Sequence, residues 1–215
     1  MNIFTLGLRI TASASVEDGI VNVLAESLPA SDRKSPTKLQ LKQQKDHYVG
    51  KLLIDLNVDD TCLAIGPTKP TPEGLLIMQP MLVVTPKTNY EDLLAINLFI
   101  ATGGLGPKAD EVELEDTTVT NRSLAWQNED KETNWFKLSA FGELSKQLSD
   151  LPPGTPTIAV GKVSSATKDD KTYLNYTVDK VLYLPKSTRT APKKAADPEK
   201  GKVAPAAIGS IDFSL

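Results

Sequence analysis

Asn134-Trp135-Phe136-Lys137-Leu138-Ser139-Ala140-Phe141 is the stretch whose period decides how this chain is read. Side chains alternate between the two faces of a β-strand. The even positions, Phe136, Leu138 and Ala140, are all apolar and suit a barrel interior. The odd positions, Trp135, Lys137, Ser139 and Phe141, put two large aromatic rings and a cation on the other face. Flat π-faces accept stacked bases and a cation accepts phosphate, with roughly 1–3 kcal/mol per stacked base. From spacing alone, a subunit interface or a loop wrapped over both rings accounts for the pattern equally well.

The flanking sequence places this strand third of five. Residues 94–103, 117–126, 157–163 and 173–184 also read as strands. Between the third and fourth, Leu144, Leu148 and Leu151 fall at i, i+4 and i+7, the apolar face of a short helix that Pro152-Pro153-Gly154 ends. Three strands, a helix and two strands is the order of an OB-fold barrel. Upstream, β-like runs at 2–12, 19–24, 38–43, 48–56, 62–65 and 75–85 are divided by loops at 29–36 and 66–74, with no helix expected. Asn2-Ile3-Phe4 and Asn97-Leu98-Phe99 open the two halves alike, a three-residue hint of a repeat. The reading is therefore all-β with one short helix. Tandem OB-like barrels occupy 1–90, a structural or oligomerisation unit, and 93–185. The proline-, lysine- and alanine-rich segment 186–215 is expected to be a disordered tail, basic with six Lys/Arg against three Asp/Glu.

Composition narrows the function. The 215 residues are 40% hydrophobic and 24% charged, with a net charge of −3, and the pI of about 5.3 argues against a surface that is basic throughout. There is one cysteine, Cys62, and one histidine, His47. A lone cysteine has no internal disulfide partner, and within Cys62-Leu63-Ala64-Ile65 it reads as a buried thiol, not a nucleophile. Structural zinc patterns are absent, and any Ser-His-Asp triad would have to use His47, which reads as an exposed residue at a strand end. No enzyme, metal or cofactor is expected. No apolar run reaches membrane-spanning length, and residues 1–10 read as a first strand and not a signal peptide, so a cytoplasmic setting is expected.

Three further features have structural readings. The cluster Gly103-Gly104-Leu105-Gly106 lacks the Gly-Lys-Ser/Thr ending of a phosphate loop and reads as a bulge bending the first barrel strand. Trp126 shares strand parity with Leu124 and reads as a cap on the barrel in preference to a stacking platform. Arg122 shares that parity too, which implies a bulge or twist nearby.

Taken in order, Ile96-Asn97-Leu98-Phe99 with the glycine cluster, Ser123-Leu124-Ala125, Asn134-Trp135-Phe136, Ala140-Phe141-Gly142, Leu144 to Leu148, and Gly154, Val160 and Gly161 resemble the bacterial single-stranded DNA-binding proteins over about 90 residues. The resemblance implies non-specific binding of single-stranded DNA in replication, repair and recombination. It implies that Trp135 and Phe141 stack on bases while Lys137 contacts the strand. It further implies that the hairpin between strands four and five, which reads as short, touches DNA through Lys162, Lys168, Lys171 and Tyr173, a solvated loop being the equal alternative. Family members with one OB domain tend to be tetramers, so two in one chain imply a homodimer. The family's acidic tail ends in a phenylalanine that recruits replication and repair proteins. Here only Asp212-Phe213 matches that tip.

Nine Lys/Arg against thirteen Asp/Glu over 96–185 make the second barrel acidic, with Glu111, Glu113, Glu115 and Asp116 in its first hairpin and Glu129, Asp130 and Glu132 in the next loop. That balance supports an alternative: a protein-interaction or replisome accessory module on the same fold, with little DNA binding. An RNA-binding OB protein is a third reading, since stacking accepts either sugar.

Overall fold

The computed structural model describes residues 2–29, 35–86, 91–127, 133–169 and 171–183. The first barrel begins with β1 (Asn2–Glu17), β2 (Ile20–Ser27) and β3 (Thr37–Gln44). Asp18 and Gly19, both at positive φ, make the two-residue turn that joins β1 to β2, the geometry that suits the right-handed twist of paired strands. Helix α1 (Tyr48–Ile54) follows, then β4 (Thr61–Gly66), β5 (Thr68–Pro70), β6 (Leu76–Met78) and β7 (Leu82–Val84). The barrel closes because β6 runs parallel to β3 while β4 pairs with β1. Strands β4 and β5 act as one outgoing strand broken at Pro67. Strands β6 and β7, paired to β5 and β4, make its return leg.

After helix α2 (Glu91–Leu94), the second barrel repeats the plan with β8 (Asn97–Glu113), β9 (Thr118–Gln127), β10 (Thr133–Phe141), α3 (Glu143–Asp150), β11 (Pro156–Lys168) and β12 (Lys171–Tyr183). It closes through parallel β10–β12 and antiparallel β11–β8 pairing. Tandem OB barrels are therefore the architecture.

Helices are more numerous than the sequence reading allowed, and 48–56 is a correction. That run is helical through Ile54, not a strand, and His47 is its exposed N-cap, not a strand end, with Nδ1 accepting from the Val49 amide at 3.3 Å. Val49, Leu53 and Leu56 are buried at i, i+4 and i+7, the spacing of Leu144, Leu148 and Leu151 in the second barrel. The single run read at 75–85 is two strands, because Gln79-Pro80 interrupts it.

The repeat extends well beyond Asn-x-Phe. Asn2 donates from Nδ2 to the Thr68 carbonyl (3.2 Å) and accepts the Thr68 amide at Oδ1 (3.0 Å). Asn97 does the same with Val163, at 2.6 and 3.0 Å. Each asparagine reaches a residue 66 positions on, and ninety-five residues separate the two copies. The same offset relates Phe4 to Phe99, Val49 to Leu144, Leu53 to Leu148, Ala64 to Ala159 and Gly66 to Gly161. Both glycines sit where a Cβ would strike a carbonyl of the return strand, Gln79 O at 2.3 Å for Gly66 and Thr177 O at 2.0 Å for Gly161.

The two barrels share one sheet. β1 and β8 pair antiparallel with Asn2 opposite Ala101, Phe4 opposite Phe99 and Leu6 opposite Asn97, so a pseudo-twofold axis passes between the phenylalanines. Phe4, Phe99, Phe136 and Tyr176 pack there in stacked and edge-on contacts with centroids 4.9–6.3 Å apart, and the buried core runs through both barrels. Away from the axis, the Ser165 hydroxyl donates to the carbonyls of Ser35 (3.0 Å) and Pro36 (2.9 Å). Gly74, at φ +78, lies so close to Thr172 that a Cβ would be 2.4 Å from its carbonyl oxygen.

The tail beyond residue 183, with Asp212 and Phe213, lies outside the described residues, as do Glu129, Asp130 and Glu132. Among the described residues, no helix is long and apolar enough to cross a membrane, and no group of three or more His, Cys, Asp or Glu side chains is placed to hold a metal.

Candidate nucleic-acid interface

Strand β10 carries the alternation read from its sequence. Phe136, Leu138 and Ala140 are fully buried, whereas Trp135 is 53% and Phe141 45% exposed, and Lys137 between them is exposed. Large apolar side chains are buried by default. Two exposed rings on one short strand, flanking a cation, are informative because the opposite face leaves no doubt about register. Across β9, Ala125 lies opposite Trp135, Ser123 opposite Lys137 and Asn121 opposite Ser139, all small or polar. The Ser139 hydroxyl donates to Asn121 Oδ1 at 2.7 Å. The result is a low floor from which the two rings rise.

The β11–β12 hairpin joins the same face. Ser139 pairs with Thr177 on β12, and Thr177 with Lys162 on β11, so one row of outward residues runs Asn121, Ser139, Thr177, Lys162 across four strands. Strand parity carries Tyr173, Lys171 and Lys168 on that side as well. Tyr173 is 51% exposed, and Lys168 and Lys171 face each other at the tip. The hairpin is not short, as the sequence suggested: each strand has 13 residues. Its other side is occupied, because buried Ser165 is fixed to the first barrel. The first barrel thus steadies an arm that presents its lysines outward.

Sequence reasoning missed Lys108. Between Leu105 opposite Leu124 and Ala109 opposite Arg122, three residues of β8 face the single residue Ser123. That bulge, at the glycine cluster where one was expected, places Lys108 beside Lys137 around a polar depression of about 250 Å³ that Asp110, Asn121 and Ser123 also line. The signal was the Gly106-Pro107-Lys108 run, which breaks strand alternation.

Arg122 also lines that depression but turns its guanidinium inward. Its guanidinium donates to the carbonyls of Leu148 (2.6 Å), Ser149 (3.3 Å) and Leu151 (2.6 Å) at the end of α3, and to Gly106 in the bulge (3.1 and 3.2 Å). A cation there satisfies carbonyls that the helix leaves without partners and opposes the negative end of its dipole. Burial draws its pKa below the usual arginine range.

Trp126 is partly buried and stacks on Phe136, with centroids 5.9 Å apart and planes 11° from parallel, which agrees with a barrel cap. Its Nε1 is buried without a hydrogen-bond partner, and packing against the core holds the ring. The ring also borders a cleft of about 630 Å³ between β8, β9 and the start of β11.

Nearly the whole chain superposes on one known protein. The crystal structure of the single-stranded DNA binding protein from Thermus aquaticus matches 91% of this chain and 98% of its own, with a TM-score of 0.67 and 14% identity. The two share a fold. A deletion variant of the same Thermus aquaticus protein matches 93% of this chain and 98% of its own, with a TM-score of 0.63 and 16% identity. No protein-family model matches the sequence, and no curated protein is significantly similar to it. The match includes both barrels in one chain, so the tandem arrangement itself belongs to the shared fold.

Proposed function

We propose that this chain binds single-stranded DNA with little sequence preference, in replication, repair and recombination, and performs no catalysis. The observation that carries the reading is the exposure of Trp135 and Phe141 on either side of Lys137, on a strand whose other face buries Phe136, Leu138 and Ala140. Bases stack on the two rings. Lys137 and Lys108 meet phosphates at the centre of the face, and Lys162, Lys168 and Lys171, with Tyr173, extend the path along the hairpin. Stacking platforms and backbone cations recognise features common to every base, which makes such binding tolerant of sequence. The cytoplasm is the setting this role implies. The test is the salt dependence of binding to a thymidine oligomer. A log–log slope of about −0.7 per phosphate contact gives about −3.5 for these five lysines. A slope near zero would favour the accessory-module reading, which the exposed Glu111, Glu113, Glu115 and Asp116 at the end of the β8–β9 hairpin support.

The oligomer we propose is a homodimer, which brings four barrels together. Leu98 and Ile100 are 39% and 40% exposed on the outer side of β8, and Leu182 on β12 is 47% exposed. Ile100 lies opposite Ile3 on one side and Val160 on the other. An apolar patch on the shared sheet, next to the pseudo-twofold axis, suits a second copy. Light scattering should give twice the chain mass for the wild type and one chain mass for Ile100→Glu. An unchanged mass in the variant would remove this face from the interface. We further propose that replication or repair proteins are recruited through the tip at Asp212 and Phe213.

A further inference from the structure

We propose that the cleft beside Trp126 holds one base of the same strand that Trp135 stacks. The proposal rests on the reading of β10 as a strand-binding face and extends it by a subsite. Three features of the fold support it.

The first is continuity. Thr133 lines the cleft and, two residues before Trp135 on β10, lies on the outer side of the strand. Ala125 lines the cleft and also lies opposite Trp135. A strand following β10 past Trp135 therefore passes over the cleft mouth.

The second is charge. Among the described residues no charged side chain lines this cleft, whereas Lys108, Lys137, Asp110 and Arg122 line the depression on the other side of Trp135. A phosphate would be desolvated without compensation in the first and met by cations in the second. The cleft suits a neutral, flat group, and Trp135 stands between a place for phosphate and a place for a base.

The third is shape. Pairing of β8 with β9 stops at Gly104 opposite Ala125, beyond which β8 pairs with β11 while β9 continues to Gln127, and their divergence opens the gap. Gly103 lines the cleft at the point where the two backbones still meet, since a Cβ there would lie 2.0 Å from the Ala125 carbonyl oxygen. Trp126, stacked on Phe136, offers an aromatic wall to the cleft.

The chain has two tryptophans, so each can be read alone. Trp135→Phe leaves Trp126 as the sole tryptophan and keeps a ring on the platform. Trp126→Phe leaves Trp135. Both are titrated with a thymidine oligomer at low salt, at protein concentrations spanning a hundredfold. The proposal expects quenching of Trp126 emission along the same saturation curve as Trp135. Thr133→Phe, which narrows the mouth, should abolish the Trp126 response, preserve that of Trp135 and weaken binding about tenfold. Quenching of Trp135 with Trp126 unchanged would overturn the subsite and leave the strand-binding reading standing. No response from either tryptophan would overturn both. A Trp126 signal that follows protein concentration and ignores DNA would assign the cleft to the second copy, which also overturns the proposal.

Discussion

Phe4 and Phe99 lie directly opposite each other where β1 meets β8, their rings stacked with centroids 5.8 Å apart. They are the same position in two copies of one barrel, brought together at the axis that relates the copies. Both belong to the buried core, which thus runs through the join between the barrels. Aromatic pairs in such offset contacts are worth about 0.5–1.5 kcal/mol beyond the area they bury.

The paired asparagines give the first prediction. Asn2→Ala and Asn97→Ala each remove an amide that satisfies one backbone N–H and one carbonyl of the opposing strand. Leaving a buried polar group unpaired costs about 1–3 kcal/mol. Each variant should lose that much unfolding free energy, read as a lower urea midpoint with the m-value unchanged. The sites share no partner, so the double variant should lose the sum of the two. An unchanged midpoint for both singles would show that the clamps contribute nothing.

Arg122 gives the second. Four carbonyls on two elements receive its planar fork, a geometry that a lysine ammonium cannot reproduce. Arg122→Lys should destabilise the protein by about 2 kcal/mol and speed hydrogen exchange in α3. Because the guanidinium is turned inward, the salt slope of DNA binding should keep its wild-type value. A slope reduced by one phosphate contact would instead place Arg122 on the strand.

Much of this fold was legible where its strands keep a period of two: β10 shows its buried and exposed faces. Helix α1 was not read, since Val49, Leu52, Leu53 and Ile54 in a short run resemble a strand by composition. The spacing of Val49, Leu53 and Leu56 was the better guide, and comparison with Leu144, Leu148 and Leu151 would have revealed it. The β1–β8 ladder is set by the meeting of two distant strands and leaves no local pattern. For the same reason the anchoring of Ser165 to Ser35 and Pro36, which makes the hairpin an arm, lay beyond a linear reading. Lys108 was missed because a three-residue bulge resets parity, so periodicity fails where the site needs it most.

The third prediction concerns pH. Burial, with a smaller contribution from Asp60, pushes the Cys62 thiol up to about 12, and burial raises the Tyr176 hydroxyl well above its ordinary value. For an acid whose folded pKa is raised, the unfolded chain loses its proton first. Stability is then fully present below the unfolded value, near 9 for the thiol, and declines as pH climbs towards the folded one. Each group contributes a fall of roughly 1 kcal/mol per pH unit across its window. Denaturant midpoints should therefore be flat from pH 7 to 8.5 and drop from pH 9 to 11, and Cys62→Ala should soften the fall. The native thiol should resist alkylation at pH 8 and react on unfolding. Rapid native labelling would contradict its burial.

The central claim is that Trp135 forms the platform on which single-stranded DNA stacks. Tryptophan emission is titrated with a thymidine oligomer for wild type and Trp135→Ala, at low and moderate salt. The account predicts strong quenching in the wild type that weakens as salt rises, with affinity in the variant reduced about 10- to 100-fold, as loss of one stacked base requires. Absence of quenching at low salt, or equal affinity in the variant, would contradict it.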